Sequence, residues 1–448
     1  MAQIAPFRGL RYNLEKIPGL SQVVVPPYDV ISPEEQQAFH QRSPYNFIRL
    51  ELGLPGPEDS SEDNPHTRAA GWIGQWQHQE ILVRNPAPAI YCYELDYKTG
   101  PKQPVKTRKG FICLLRLEDF SSGRVRPHEK TFQTIKDERL GLMLACNANL
   151  SPVFALYPDS NETVHSTLAS GRRGDPVVSF TDFAGMTHRV WPVTGLPILD
   201  RVGKLMLDKP IFIADGHHRY ETALNYRNVL RERYGSVNPN ASFEFIMVYL
   251  SNMNESGLTI LPTHRLLRNL GQWDSERLIE SAKSLFHVER FESENGGELR
   301  WKEAIRAGGM RKDTTIGFYC KEAACVYVLT AKRDRISSLL AQKGTPEPLR
   351  TLDVVVLDQI VLRDLLGLSE QFLANERNIS FMHDFAEALE AVKSSRFDAG
   401  FFINHTRIEQ VREVASAGLI MPHKSTYFYP KVISGLVINP LLPNEEIL

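Results

Sequence analysis

Long apolar runs are missing from this sequence. None approaches the roughly 18 residues that a membrane-spanning helix requires, so no membrane partner is expected. An excess of either charge is missing too: 52 Lys and Arg stand against 53 Asp and Glu, a formal net charge of −1. Non-specific nucleic-acid binding rests on a basic footprint, and neither the balance nor any basic helix-turn-helix segment supplies one. No DNA partner is expected. Cysteine is scarce and odd in number, with Cys92, Cys113, Cys146, Cys320 and Cys325 forming no CxxC pair and no zinc spacing. That argues against a disulfide framework or a zinc ribbon and fits reduced thiols in a cytoplasmic protein. The opening "MAQIAPFRGLRYN" lacks a basic stretch followed by an apolar one, so a secretory leader is not expected.

What is present fills 448 residues, more than one core usually holds, so two or three domains are expected. Helical and strand patterns alternate along the chain. The fold class is α/β, with α+β as the alternative. "VVVPPYDVI" predicts a strand ending in a Pro-Pro turn. "SPEEQQAFHQRS" predicts a short helix, with Ser32 as N-cap, Pro33 in the first turn and Glu35 completing a capping box. "AIYCYELDY" and "RKGFICLLRLEDF" predict two antiparallel strands. The pattern changes near residue 270, which divides the chain into 1–270 and 271–448, the latter a C-terminal α/β domain.

One stretch concentrates chemistry: "PIFIADGHHRYETAL", residues 210–224. A short buried strand runs through Asp215 and Gly216 into a helix that begins with His217, His218 and Arg219. A helix N-terminus after a glycine turn presents unpaired N–H groups and positive potential, which suit phosphate. Arg219 can grip phosphate bidentately, His217 and His218 can donate hydrogen bonds, and His218 can move a proton near neutral pH. Asp215 can hold Mg²⁺ against phosphate oxygens. The bland alternative is that Asp215 caps the helix and the histidines are surface residues.

"ADGHHRYETAL" resembles the phosphate-binding motif of the ParB/sulfiredoxin superfamily, and its Asp-Gly-His-His-Arg version resembles that of the free serine kinases. The resemblance implies a ParB/sulfiredoxin-like nucleotide-binding core within residues 1–270. It also implies phosphate transfer from ATP or ADP to the hydroxyl of serine. "VVVPPYDVIS" is similar to the opening unit of that fold. Residues 60–200 would then be a large insertion or a separate lobe.

Three other clusters add candidates. "RVRPHEKTFQTIKDERL" places Arg126, His128, Glu129, Lys130, Lys136 and Arg139 at a loop-to-helix entry. Glu129 or His128 can take a proton from a hydroxyl, and Lys130 can stabilise phosphate. "MPHKSTYFYPK" carries Lys424, Ser425 and Thr426, which could reach a phosphate, although the glycines of a Walker A loop are missing. Tyr427, Phe428 and Tyr429 are expected to pack. Asp29 ends the predicted strand near Arg8 and Arg11, and is either a catalytic carboxylate or an Asx turn. Together "PFRGLRYN", "PPYDVIS", "RPHEKT", "ADGHHRYETAL" and "MPHKSTYFYPK" resemble a bacterial and archaeal family of unknown function, domain-of-unknown-function family 1015.

The expected function is Mg²⁺-dependent phosphoryl transfer between ATP or ADP and a small hydroxylated metabolite, serine or phosphoserine leading. Glu129 or Asp29 serves as base. The alternatives are a phosphohydrolase acting on phosphoserine or a nucleotide, and a non-catalytic nucleotide-binding protein. A sulfiredoxin-like redox enzyme would require a cysteine beside the turn, and Cys146 is the only candidate.

Overall fold

The computed structural model describes residues 2–235, 238–292, 297–320, 325–442 and 445–447. The chain forms two compact units. The first comprises Met1–Pro127, Thr131–Leu258 and Pro430–Leu448, and the second His128–Lys130 and Thr259–Tyr429.

The first unit is built on a mixed nine-stranded sheet. In chain order its strands are β1 (Ile4–Ala5), β2 (Ile90–Tyr97), β3 (Lys106–Arg116), β4 (Val125–Arg126), β5 (Val153–Tyr157), β6 (Val178–Thr181), β7 (Thr187–Val193), β8 (Ile211–Asp215) and β9 (Phe245–Asn252). They lie in the order β4-β8-β5-β9-β3-β2-β7-β6, with β1 alongside β3. The β4–β8 and β5–β9 pairs are parallel and the other pairs antiparallel. Every residue of β5 and β9 is buried, which is why "VFALY" and "FIMVYLSN" are apolar runs rather than alternating patterns. The expected antiparallel pairing of "AIYCYELDY" with "RKGFICLLRLEDF" is present, with Tyr93 opposite Gly110.

Seven helices of this unit are α1 (Pro33–Arg42), α2 (Ile48–Glu51), α3 (Pro65–His78), α4 (Gln133–Cys146), α5 (Thr163–Ser170), α6 (Leu196–Met206) and α7 (His217–Tyr234). α1 starts with the predicted capping box: Glu35 N–H donates to Ser32 Oγ, and Ser32 N–H donates to Glu35 Oε2. α7 buries Tyr220, Ala223, Tyr226 and Leu230, a stripe at helical spacing. The stripe packs on the same core as Ile211 and Ile213 of β8. Fully burying side chains of this size stabilises by roughly 1.5–3 kcal/mol each, which fixes the helix entrance against the strand end.

The structure differs from three expectations. "VVVPPYDVI" makes a single bridge, Val25 to Ser434, followed by a one-turn 3-10 helix at Tyr28–Val30. Val23, Val24 and Val25 are buried, but Pro26 and Pro27 carry no N–H and cannot extend a ladder. Residues 60–200 form no separate lobe: β2 to β7 all come from them and share one sheet with β1, β8 and β9. Finally, the division falls after Leu258 rather than near 270, and the tail from Pro430 belongs to the first unit. Bridges from Ser434 to Val25 and Ile438 to Leu10, and the pairing of Asn439–Pro440 with Ala148–Asn149, hold it there.

The second unit contains a six-stranded, wholly antiparallel sheet. Its order is Phe286–Glu292, Cys325–Ala331, Thr315–Cys320, Ala399–Ile403, His264–Leu267 and Ile379–Met382. A two-stranded ladder joins Thr259–Leu261 to Tyr427–Tyr429. Among the described residues, no helix is long and apolar enough to cross a membrane.

Candidate functional site

The junction of β8 and α7 is the strand, turn and helix that "IADGHHRYE" predicts. β8 ends at Asp215, Gly216 adopts φ +88° and fills the N-cap position, and α7 begins at His217. Gly216 is required twice over. Its backbone lies in the left-handed region, and a Cβ there would meet the Arg219 guanidinium at 2.9 Å.

Asp215 sits between two cations. Its Oδ2 accepts from Arg219 Nη2 at 2.8 Å, and its Oδ1 accepts from Lys431 Nζ. The three side chains are only 10–13% exposed, so screening by water is weak. Two cations thus meet one carboxylate at a helix N-terminus, with the Asp29 and Glu51 carboxylates also acting on Arg219. That is a setting for an anion. Arg219 Nη1 also donates to the Pro152 carbonyl at 2.5 Å. Burial opposes the charge on Arg219, but Asp215, Asp29, Tyr28 and Glu51 outweigh it and raise its pKa.

This arrangement redistributes the roles expected of the motif. Arg219 has its two terminal nitrogens committed to Asp215 and Pro152, so it braces the turn rather than extending a free fork. The cation facing Asp215 from outside the motif is Lys431. Nothing in the spacing of "YPK" marks it, because it reaches the turn only through the fold of the tail. Each oxygen of Asp215 faces a cation, Arg219 or Lys431, in this structure. Among the described residues no three His, Cys, Asp or Glu side chains converge as a metal site.

His218 accepts a hydrogen bond at Nε2 from the Phe132 N–H at 2.9 Å, and its ring stacks on Phe132. In a neutral ring this places the proton on Nδ1. His217 is buried. Lys136 of α4 pairs with Glu221 of α7 at 2.8 Å, linking the helices that flank the turn.

Asp29 lies in the 3-10 turn beside Tyr28, and its charge acts on Arg219 and Glu51. Arg139 stacks over Tyr28 at 4.3 Å and donates to the Glu51 carbonyl at 2.8 Å. Burial pushes the Tyr28 phenol and the Glu51 carboxyl up, against the lowering effect of Arg139 and Arg219. Tyr28, Glu51 and Lys431 are the residues that sequence reasoning did not single out. Glu51 ends a four-residue helix in "NFIRLELG" and carries no local signal. Arg8 and Arg11 hold Asn85 instead of joining the site.

The "RPHEKT" cluster divides. Arg139 and Lys136 stay in the first unit, whereas His128, Glu129 and Lys130 belong to the second. There they meet the "MPHKST" loop. His128 Nε2 bonds Thr426 Oγ1 at 2.9 Å, the Met421 N–H donates to the His128 carbonyl at 2.8 Å, and Glu129 pairs with His423 at 3.4 Å. Ser425 Oγ donates to the Pro422 carbonyl at 2.6 Å, and Lys424 adopts φ +56°. The Ser425 and Thr426 hydroxyls thus shape the loop, while Glu129 and His423 form a partly exposed carboxylate–imidazole pair. Phe428 packs as expected, being 1% exposed.

Cys146, the sulfiredoxin-like candidate, is a partly buried thiol pushed up to about 12 by burial. A thiol held protonated is a poor nucleophile.

Three comparisons bear on the chain. No curated protein matches its sequence. Similar solved structures include a conserved hypothetical protein from Pyrococcus furiosus, 11% identical over 74% of this chain and 97% of that one, with a TM-score of 0.34. A free serine kinase in complex with AMP is 12% identical over 73% of this chain and 91% of that one, TM-score 0.34. A C-terminally truncated SbnI from Staphylococcus aureus is 10% identical over 74% and 87%, TM-score 0.33. The functional argument rests on this chain's own residues. The model of the family described as "Protein of unknown function (DUF1015)" matches residues 4–355, and the chain belongs to that family.

Proposed function

We propose that the protein transfers a phosphoryl group between a nucleotide, ATP or ADP, and the hydroxyl of a small metabolite, with serine and phosphoserine as the leading pair. The observation that carries this reading is the β8–Gly216–α7 turn with Asp215 held between Arg219 and Lys431. Its helix N-terminus and the two cations beside it suit the phosphates of a nucleotide. Phosphoryl transfer asks mainly for positioning and charge neutralisation, and this corner supplies both. In the forward direction the acceptor oxygen attacks the terminal phosphorus, the bond to the leaving nucleotide breaks, and the acceptor proton passes to a carboxylate, Asp29 in the first unit. Magnesium enters with the nucleotide, bound to its phosphates, rather than through Asp215.

Purified protein incubated with Mg²⁺ and ATP or ADP, with and without serine, tests the reading by ³¹P NMR. Phosphoserine formed only when serine is present is the expected result. Inorganic phosphate without transfer, or released from phosphoserine alone, would make the protein a phosphohydrolase. Nucleotide binding with no turnover would make it a binding protein.

A further inference from the structure

Arg219 faces a second feature besides the turn. A cavity of about 50 Å³ is lined on its polar side by Tyr28, Glu51, Arg139, Ser151, Arg219 and Thr222. Asn149 and the apolar side chains Leu142 and Met143 of α4 and Ile246 of β9 also line it. Arg219 and Thr222 stand three residues apart on α7 and so share a helix face. Glu51 arrives from the end of α2.

Three polar atoms at this cavity are buried and have no hydrogen-bond partner among the described residues: Glu51 Oε2, Arg219 Nε and Thr222 Oγ1. Glu51 and Thr222 are each 2% exposed. Each such orphan costs about 1–3 kcal/mol, and buried polar atoms in native proteins are nearly always satisfied. Three on one cavity call for an occupant.

The charges say what kind. Arg139 is paired with Glu138, and Arg219 with Asp215. Among the described residues Glu51 Oε1 accepts from the Ser151 hydroxyl alone, at 3.0 Å, and Arg139 reaches the Glu51 backbone carbonyl rather than its carboxylate. Glu51 therefore has a buried carboxyl group without an ion-pair partner. The occupant must offer a donor, best a cation, to Glu51 and an acceptor to Arg219 Nε–H and Thr222. About 10–15 Å³ suffices for one water, so the space admits one small polar molecule.

We infer that this cavity is a subsite for the head of a small amino acid, its ammonium on Glu51 Oε2 and an oxygen on Arg219 Nε and Thr222 Oγ1. Naming the occupant as the phosphoryl acceptor rests on the proposed phosphotransferase reading; the binding chemistry of the cavity does not. One guanidinium then serves two places, bracing Asp215 at the phosphate turn and facing the amino acid with its third nitrogen.

Ligand-observed NMR titration of L-serine, and separately of ADP, into the full chain tests the inference. Saturable serine binding is expected for the wild type. Glu51→Gln and Thr222→Val, each close to isosteric, should weaken it about 10-fold or more, the scale of one lost hydrogen bond, and shift ADP affinity less than about twofold. Thr222→Ser keeps the hydroxyl and should bind serine within about threefold of wild type, which separates a lost contact from a damaged fold. Unchanged serine affinity in both folded variants would overturn the inference and leave the cavity to water. Failure of the wild type to bind serine while it binds ADP would also overturn it. Variant-sensitive serine binding without phosphoryl transfer would uphold the subsite and defeat the phosphotransferase reading alone.

Discussion

Lys431 and Asp215 are 216 residues apart in sequence, yet Lys431 Nζ donates directly to Asp215 Oδ1. The tail returns to the first unit, and Lys431 becomes the second cation on a carboxylate that Arg219 already holds. Removing Lys431 leaves the Asp215–Arg219 pair in place, so Lys431→Met should fold. It should lose one of the two cations that face Asp215. We expect kcat/KM for phosphoryl transfer to fall ~100-fold or more, on the scale of deleting one charge-stabilising donor. Steady-state kinetics together with a thermal melt check this, and near-wild-type turnover would remove Lys431 from the site.

Asp215→Asn acts differently. It strands two nearly buried cations, and breaking a buried pair from one side costs about 3–5 kcal/mol. Urea denaturation should show a loss of that order. A shift under about 1 kcal/mol would mean that solvent screens the trio as it does a surface pair.

Gly216→Ala tests the turn itself. A positive φ in a residue with a Cβ costs about 1–3 kcal/mol, and here the Cβ would also press on the Arg219 guanidinium. Both loss of stability and loss of nucleotide affinity are expected, the first by chemical denaturation and the second by titration with ADP.

The second unit carries a pH-dependent term. Asp353 Oδ2 is buried with no hydrogen-bond partner among the described residues, and burial raises its carboxyl to about 7, against the lowering effect of hydrogen bonding to Asn404. In the unfolded chain the same group titrates near ~3.9. Between those values the folded state holds the proton and the unfolded state does not. Stability contributed by the protonated form is therefore present at low pH and is lost as pH rises from about 4 through about 7. Asp353→Asn should flatten the pH dependence of denaturation across that window. An unchanged slope would show that Asp353 is ionised throughout.

Much of the fold and part of the site are legible locally. Ser32, Pro33 and Glu35 fix the start of α1 because capping is a contact among neighbours. Apolar runs bounded by breakers mark β5, β8 and β9. Asp215-Gly216-His217 announces a strand, a left-handed turn and a helix entrance, since backbone sterics and hydrogen bonding over a few residues decide those. "VVVPPYDVI" shows where local reasoning ends: an apolar triplet is as compatible with buried irregular chain as with a strand, and two prolines settle against the ladder.

Only the tertiary structure decided which distant residues complete the site. Lys431 reaches Asp215, Glu51 and Arg139 face Thr222 and Tyr28, and His128 and Glu129 leave their sequence neighbours for the second unit. None of these pairings has a spacing to read, because each depends on burial of a whole segment against a core assembled from remote strands. The sequence by itself determined the strand, the left-handed turn and the helix entrance. The fold determined the charges around it, since electrostatic strength at that corner comes from desolvation and from partners that only chain packing brings within hydrogen-bond reach.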